Sequence, residues 1–380
     1  MARLDWSRPL GGSIRARRPP GEGRARSRGG EQSWKSYGGA CGPGGGGTAG
    51  PEGRPFAEPW AGPLAGPLPD PRVGPSAGPP AGRLAGSAPS VDQDTGHAPH
   101  TGRHNGSMPI PSRAALVDHL VRTRIAGDVA TPRDNNLSHY RKLANGDRHY
   151  WLGLELGDRW TDEQDVLAVM AERCGVNDDP AHRQGQDTID PELTVDALER
   201  MAARLRKAAD GRERVLFATG HPGGLLDVHR QTGDALRRAG CEIVRIPSGL
   251  IADEGLVVQF ADVAMLERGA TLWHTHSPAP MAAILDAMAH LGRPLPDLVV
   301  ADHGWAGCAG GRGLDAIGYA DCNDPALFLG ESEGMLQVTV PLDDHVTDPR
   351  FYDPMTDYLL HAAGLLEDEP AEPVVGEPAA

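Results

Sequence analysis

Two short, unbroken apolar runs, Leu298–Ala301 and Ala316–Ala320, each end in an acidic residue followed by a polar cluster: Asp302-His303-Gly304 in one, Asp321-Cys322-Asn323-Asp324 in the other. Unbroken apolar runs of this length read as strands buried on both faces, as in a parallel sheet. A similar texture recurs at Arg214–Ala218, Cys241–Ile246, Thr271–His274 and Leu336–Val340. The intervening segments Leu225–Ala239, Val257–Arg268 and Pro280–Leu291 have helical length and spacing. Six strands with intervening helices predict an α/β fold, a doubly wound, mostly parallel three-layer sandwich. Ligands of such sheets bind outside the strand carboxyl ends, so the residues just past each run are the site candidates.

Upstream, residues 108–210 predict a helical N-terminal part: Arg113–Ile125, capped by Ser112, then Leu137–Asn145, Thr161–Cys174 and Val195–Ala209, with Pro191 opening the last helix. The α/β domain is expected over 211–366, with the helical part acting as its cap, and 367–380 reads as a loose, acidic, proline-rich tail. Residues 1–107 are another matter. They hold 24 of the 50 glycines and 16 of the 34 prolines, too little apolar surface to offset the entropy of ordering. A disordered Gly/Pro-rich extension is predicted there. The abrupt onset of helical sequence at Met108 carries a second expectation, that Met108 is the true initiator.

Charge narrows the partners. Residues 108–380 carry 24 Lys and Arg against 44 Asp and Glu, a balance that excludes nucleic acid and anionic membrane as expected partners and points to a small substrate. No run reaches the roughly 18 to 20 apolar residues of a membrane-spanning helix, and the Arg-rich start lacks the apolar core of a secretory signal. A cytoplasmic location is the expectation. The five cysteines contain no CxxC pair, so neither a disulfide framework nor a structural zinc site is suggested.

Chemistry concentrates at the strand ends. Thr219, Gly220, His221, Gly223 and Gly224 follow the Arg214–Ala218 strand, where a glycine loop and a helix start favour an anion; a plain tight turn would look the same. His274 and His276 flank Thr275 at another strand end and suit phosphate or metal contact. Asp302, Asp321, Asn323 and Asp324 offer hard oxygen ligands for a divalent cation, magnesium or manganese, although Asp324-Pro325 also fits a helix cap. Asp302, His303 and His276 are candidates for acid/base work. Arg133 and Asn135, in a polar stretch between two helices, are candidates for phosphate contact, with an ordinary cap as the competing reading. Asp343-Asp344-His345 closes the last strand in the same style.

Several phosphatase mechanisms leave no trace: the sequence has no HCx5R loop, no DxDx[TV] strand end, no RHG and no GxSxG elbow. Metal-activated water is the route left for any phosphate-ester hydrolysis.

From Met108 to about Gly364 the chain resembles a bacterial family, frequent in actinomycetes, whose members are named simply phosphatase. The resemblance is carried by Arg133-Asp-Asn-Asn-Leu137, Phe217-Ala-Thr-Gly-His-Pro-Gly-Gly224, Trp273-His-Thr-His276, Ala301-Asp-His-Gly304, Asp321-Cys-Asn-Asp-Pro325 and Pro341-Leu-Asp-Asp344. It implies phosphoric-ester hydrolysis on a small phosphorylated substrate. A group-transfer enzyme acting on a nucleotide-sugar or other diphosphate, and a non-catalytic sensor of a phosphorylated metabolite, remain the alternatives.

Overall fold

The computed structural model describes residues 110–366; the expected extension over 1–107 and the tail over 367–380 lie outside them. The elements run in chain order as α1 (Arg113–Thr123), β1 (Gly127–Pro132), α2 (Arg133–Ala144), α3 (Glu163–Cys174), β2 (Gln186–Ile189), α4 (Pro191–Gly211), β3 (Arg214–Ala218), α5 (Leu226–Arg238) and β4 (Glu242–Ile243). They continue as β5 (Leu250–Ala252), β6 (Gly255–Phe260), β7 (Val263–Arg268), β8 (Thr271–Trp273), α6 (Ala279–His290), β9 (Leu298–Asp302), α7 (His303–Gly311), β10 (Ala316–Ala320), α8 (Pro325–Ser332), β11 (Val338–Pro341) and α9 (Asp353–Ala362).

The main sheet has the order β11-β10-β9-β3-β7-β6-β5. Strands β3, β4, β7, β9, β10 and β11 pair in parallel. β9, β10 and β11 lie to one side of β3 and β7 to the other, so the strand order reverses between β3 and β9, the position at which open α/β sheets bind ligands beyond the strand carboxyl ends. The strands β9 and β10 are buried at every position. Helices α1, α4, α5 and α9 pack with one another as one layer, and α2, α3, α6, α7 and α8 as the other, giving an α/β sandwich.

Three predictions are corrected by the structure. The segment Val257–Arg268 is a β-hairpin, not a helix: β5, β6, β7 and β8 form an antiparallel meander. Its three two-residue turns are Asp253-Glu254, Ala261-Asp262 and Gly269-Ala270, all with positive φ, the turn geometry that matches strand twist. None of these pairs is the Asn-Gly or Asp-Gly that announces such a turn, and so the β-branched run was read on its helical spacing. Second, the helical N-terminal part also contains an antiparallel ribbon, β1 with β2. Third, its helices are not a separate cap, because α4 packs on β11, and α2 and α3 pack on α8.

The meander also positions chemistry. In register, Ala218 at the end of β3 stands opposite Ala264, so β7 overshoots the carboxyl edge of β3. β8 folds back along that overshoot, with Arg268 opposite Thr271 and Leu266 opposite Trp273. The residues after it, His274 to His276, are thereby returned to the edge, where Thr275 N donates to the Gly220 carbonyl at 3.0 Å.

Candidate active site

The loops after β3, β8, β9, β10 and β11 converge on one nest of imidazoles and carboxylates. A Cβ on Gly220 would stand 2.1 Å from the Thr275 carbonyl oxygen, and one on Gly304 would stand 2.1 Å from the His276 carbonyl oxygen. Glycine is required at both positions because backbone meets backbone there.

Asp302 is the hub. Its Oδ2 accepts from the Thr219 hydroxyl at 2.5 Å and its Oδ1 from the Gly220 amide at 2.7 Å. Three imidazoles face it: His221 Nδ1 at 3.6 Å, His229 Nε2 at 3.6 Å and His303 Nδ1 at 3.5 Å. Burial opposes ionisation of Asp302, yet His221, His229 and His303 hold its carboxyl well below the usual carboxylate range. His303, fully buried, carries the left-handed φ of 41°, uncommon outside glycine and a form of strain that clusters at functional sites.

The far side of His303 meets two more carboxylates. Its Nε2 lies 2.7 Å from Asp324 Oδ2 and 3.1 Å from Asp344 Oδ2, but none of these atoms has a hydrogen-bond partner. Both nitrogens of His221 are buried and unpartnered as well. Asp324 occupies the N-cap position of α8 without making a side-chain cap bond; its Oδ1 instead faces His276 Nδ1 at 3.5 Å. The capping explanation for Asp324 therefore fails. The ring centroids of His221 lie 4.1 Å from those of both His274 and His303, and His276 stacks on His303 at 4.4 Å. Burial and the neighbouring imidazoles push His274 down to about 3, which keeps it neutral at pH 7. Buried ligand atoms that converge without hydrogen bonding to one another are what a cation needs, and a mixed imidazole and carboxylate set fits a first-row divalent metal.

A second acidic group adjoins the first. Asp321, Asp343, Asp344 and His345 also offer ligand atoms close together, but most of their oxygens are already used. Asp321 accepts from the Thr131 hydroxyl at 2.6 Å and from Cys322 N at 2.6 Å; Asp343 accepts from Ala130 N at 2.6 Å and His345 N at 2.9 Å. Burial, with the charges of Asp344 and Asp343, pushes Asp321 up to about 8. His345 Nδ1 lies 3.1 Å from Asp343 Oδ1, and this contact, against the cost of burial, raises its imidazole to about 9.

Among the sequence candidates, His221, His274, His276, Asp302, His303 and Asp324 come together in the nest. Asp321 turns to the second group, while Asn323 is buried with its Oδ1 unpartnered. Two expectations are corrected. The Thr219–Gly224 loop spends most of its amides within the protein: those of Thr219, Gly220, His221 and Gly224 donate to Ala264 O, Asp302, Thr219 Oγ1 and His221 O, while Gly223 is exposed. Gly220 and Gly224 serve close packing instead, since a Cβ on Gly224 would meet the Val346 carbonyl at 2.8 Å. Arg133 is fully buried and paired with Asp187 at 3.1 Å, its other donors bonded to the carbonyls of Asn177, Asp179 and His182, and Asn135 is exposed on α2. Neither belongs to the nest. His229, on α5, carries no signal in the sequence that marks it for the site, whereas Asp344 and His345 close the last strand in the same style as the other candidates.

The fold is an α/β sandwich on a mixed sheet whose parallel strands carry a histidine and aspartate nest at their carboxyl ends, and comparison with known proteins gives its family. A family model described as Phosphatase matches residues 111–367. The curated protein Phosphatase SCO2771 of Streptomyces coelicolor (strain ATCC BAA-471 / A3(2) / M145) is 78% identical over 261 residues, covering 68% of this chain and 100% of the relative. The chain belongs to the Phosphatase family, and both names indicate a phosphatase, as the resemblance implied.

Proposed function

We propose that the protein hydrolyses a small phosphate monoester with the aid of a divalent cation held in the nest. The observation that carries this reading is the convergence of buried, unpartnered ligand atoms on His221, His303, Asp324 and Asp344. Asp302, His303, Asp324, His221 and His276 would hold the cation. Imidazole donors favour manganese, iron or zinc over magnesium, which prefers oxygen. A bound cation supplies charge neutralisation at the phosphoryl oxygens and acidifies water.

The residues of the chain supply orientation and protons. Thr219 and Gly220 lock Asp302 in place. His345 is half-exposed at the rim with Nδ1 turned onto Asp343, so Nε2 is the nitrogen to meet a leaving group. Hydrolysis breaks the bond from phosphorus to the substrate oxygen and forms one to the water oxygen. The departing oxygen takes a proton from His345 while the water gives one up, so His345 is recharged in each cycle. The net acidity of residues 108–380 agrees with a small substrate neutralised locally rather than a polyanion. The engaged amides of Thr219, Gly220, His221 and Gly224 weigh against the diphosphate cradle that a group-transfer enzyme would use.

Phosphate release from sugar phosphates, nucleotides and p-nitrophenyl phosphate tests the reading. Release with manganese that stops with chelator is expected. Absence of release from folded protein under every metal would overturn it.

A further inference from the structure

We infer that the nest is built for two divalent cations side by side, with Asp324 and Asp344 as ligands shared between them. The inference deepens the metal-dependent reading above and rests on it for its purpose, though not for its geometry.

The donors are too many for one ion. His221, His274, His276, His303, Asp302, Asp324 and Asp344 all face the nest, whereas a first-row metal takes about four to six ligands and a catalytic one keeps a position open. They also form more than one ligand group. The ligand atoms of His221, His274 and His276 lie close enough together to hold one ion, and those of His276, His303 and Asp324 close enough to hold another, with His221, Asp302 and His303 linking the two.

Two carboxylates each turn their two oxygens to two different imidazoles. Asp324 turns Oδ1 to His276 at 3.5 Å and Oδ2 to His303 at 2.7 Å. Asp344 turns Oδ1 to His221 at 3.7 Å and Oδ2 to His303 at 3.1 Å. The buried atoms without a hydrogen bond include both nitrogens of His221, both of His303 and the Oδ2 atoms of Asp324 and Asp344. The two nitrogens of one imidazole diverge, so a single ion would leave several of these donors buried and unused, which is costly.

Charge leads to the same count. Asp302, Asp324 and Asp344 are all buried, so one divalent cation against three carboxylates leaves a net negative site that repels a phosphate. A second cation reverses the sign and lets the site receive a dianion. Paired metals that clamp the attacking and leaving oxygens are a known solution to phosphoryl displacement.

The test is a metal count on the full chain, stripped with chelator, reloaded with manganese and passed through a desalting column. Elemental analysis should find two manganese per chain, and electron paramagnetic resonance should show the closely spaced hyperfine pattern of a spin-coupled pair. His274→Ala should retain one manganese with the spectrum of an isolated ion, because the ligand atoms of His274 gather only with those of His221 and His276 and the residue sits on the exposed rim, where its loss does not threaten the fold. A single manganese per wild-type chain with an isolated-ion spectrum would overturn the proposal, even if phosphate release is metal-dependent. Two coupled manganese without phosphate release from any ester would support the proposal and sink the phosphatase reading instead.

Discussion

At the scale of single residues, the difference between holding a cation and holding the fold can be tested. The Thr219 hydroxyl donates to Asp302 and accepts from the His221 amide, so Thr219→Val should weaken metal affinity by about 10- to 100-fold, as loss of an outer partner of a ligand usually does, and cost about 1 to 3 kcal/mol of stability for the unpaired amide. Titration of stripped protein with manganese measures this; unchanged affinity would remove Asp302 from the ligand set. Arg133 predicts an effect on the fold alone. Its guanidinium neutralises buried Asp187, which also accepts from Asn136 Nδ2 at 2.8 Å, so Arg133→Met should cost about 3 to 5 kcal/mol of stability and leave metal affinity as it was. Denaturant unfolding checks the first and the same manganese titration the second. The pair of residues also shows what sequence could reveal. A strand-end aspartate has one plausible environment, the carboxyl edge, and Asp302, His303 and Asp324 were legible for that reason. An arginine in a polar stretch looks the same whether it meets a phosphate or a carboxylate 54 residues away along the chain.

At the scale of elements, the parallel strands were legible because burial on both faces leaves an unbroken apolar run: β3, β9 and β10 end within a residue of the predicted positions. The meander was not legible, because Val257, Phe260, Ala261, Ala264 and Met265 recur at helical spacing and the turn residues Ala261 and Asp262 give no warning. Exposure at the meander follows from its place beyond the two-sided part of the sheet, with Phe260 62% and Ile251 74% exposed. Phe260→Ser should therefore change stability by no more than about 0.5 kcal/mol, whereas in a buried helix the same change would cost several times that. The cap at the start of α1 was read correctly: Ser112 Oγ accepts from Ala115 N at 3.3 Å. Ser112→Ala should cost about 1 kcal/mol, and thermal unfolding separates these two small effects from the large one at Arg133.

At the scale of the folded domain, five strand ends meet at one edge of the sheet, where the strand order reverses between β3 and β9, and residues far apart along the chain contribute to one nest. Binding there couples to the whole fold. A cation that binds the folded state alone at 100 times its dissociation constant should add about 2.7 kcal/mol of stability. The gain should fade as pH is lowered, since imidazoles must be neutral to coordinate. Parallel melts of stripped and manganese-loaded protein from pH 5 to 8 measure this coupling; a constant difference would contradict histidine ligation. The most direct test of the account as a whole is the initial rate of phosphate release by chelator-stripped protein as manganese is returned, run beside Asp324→Asn. The account predicts a stripped protein without activity, a rate that rises with manganese to saturation, and a variant that needs far more metal or never responds. A stripped protein that hydrolyses its ester at full rate, or a variant indistinguishable from wild type, would contradict it.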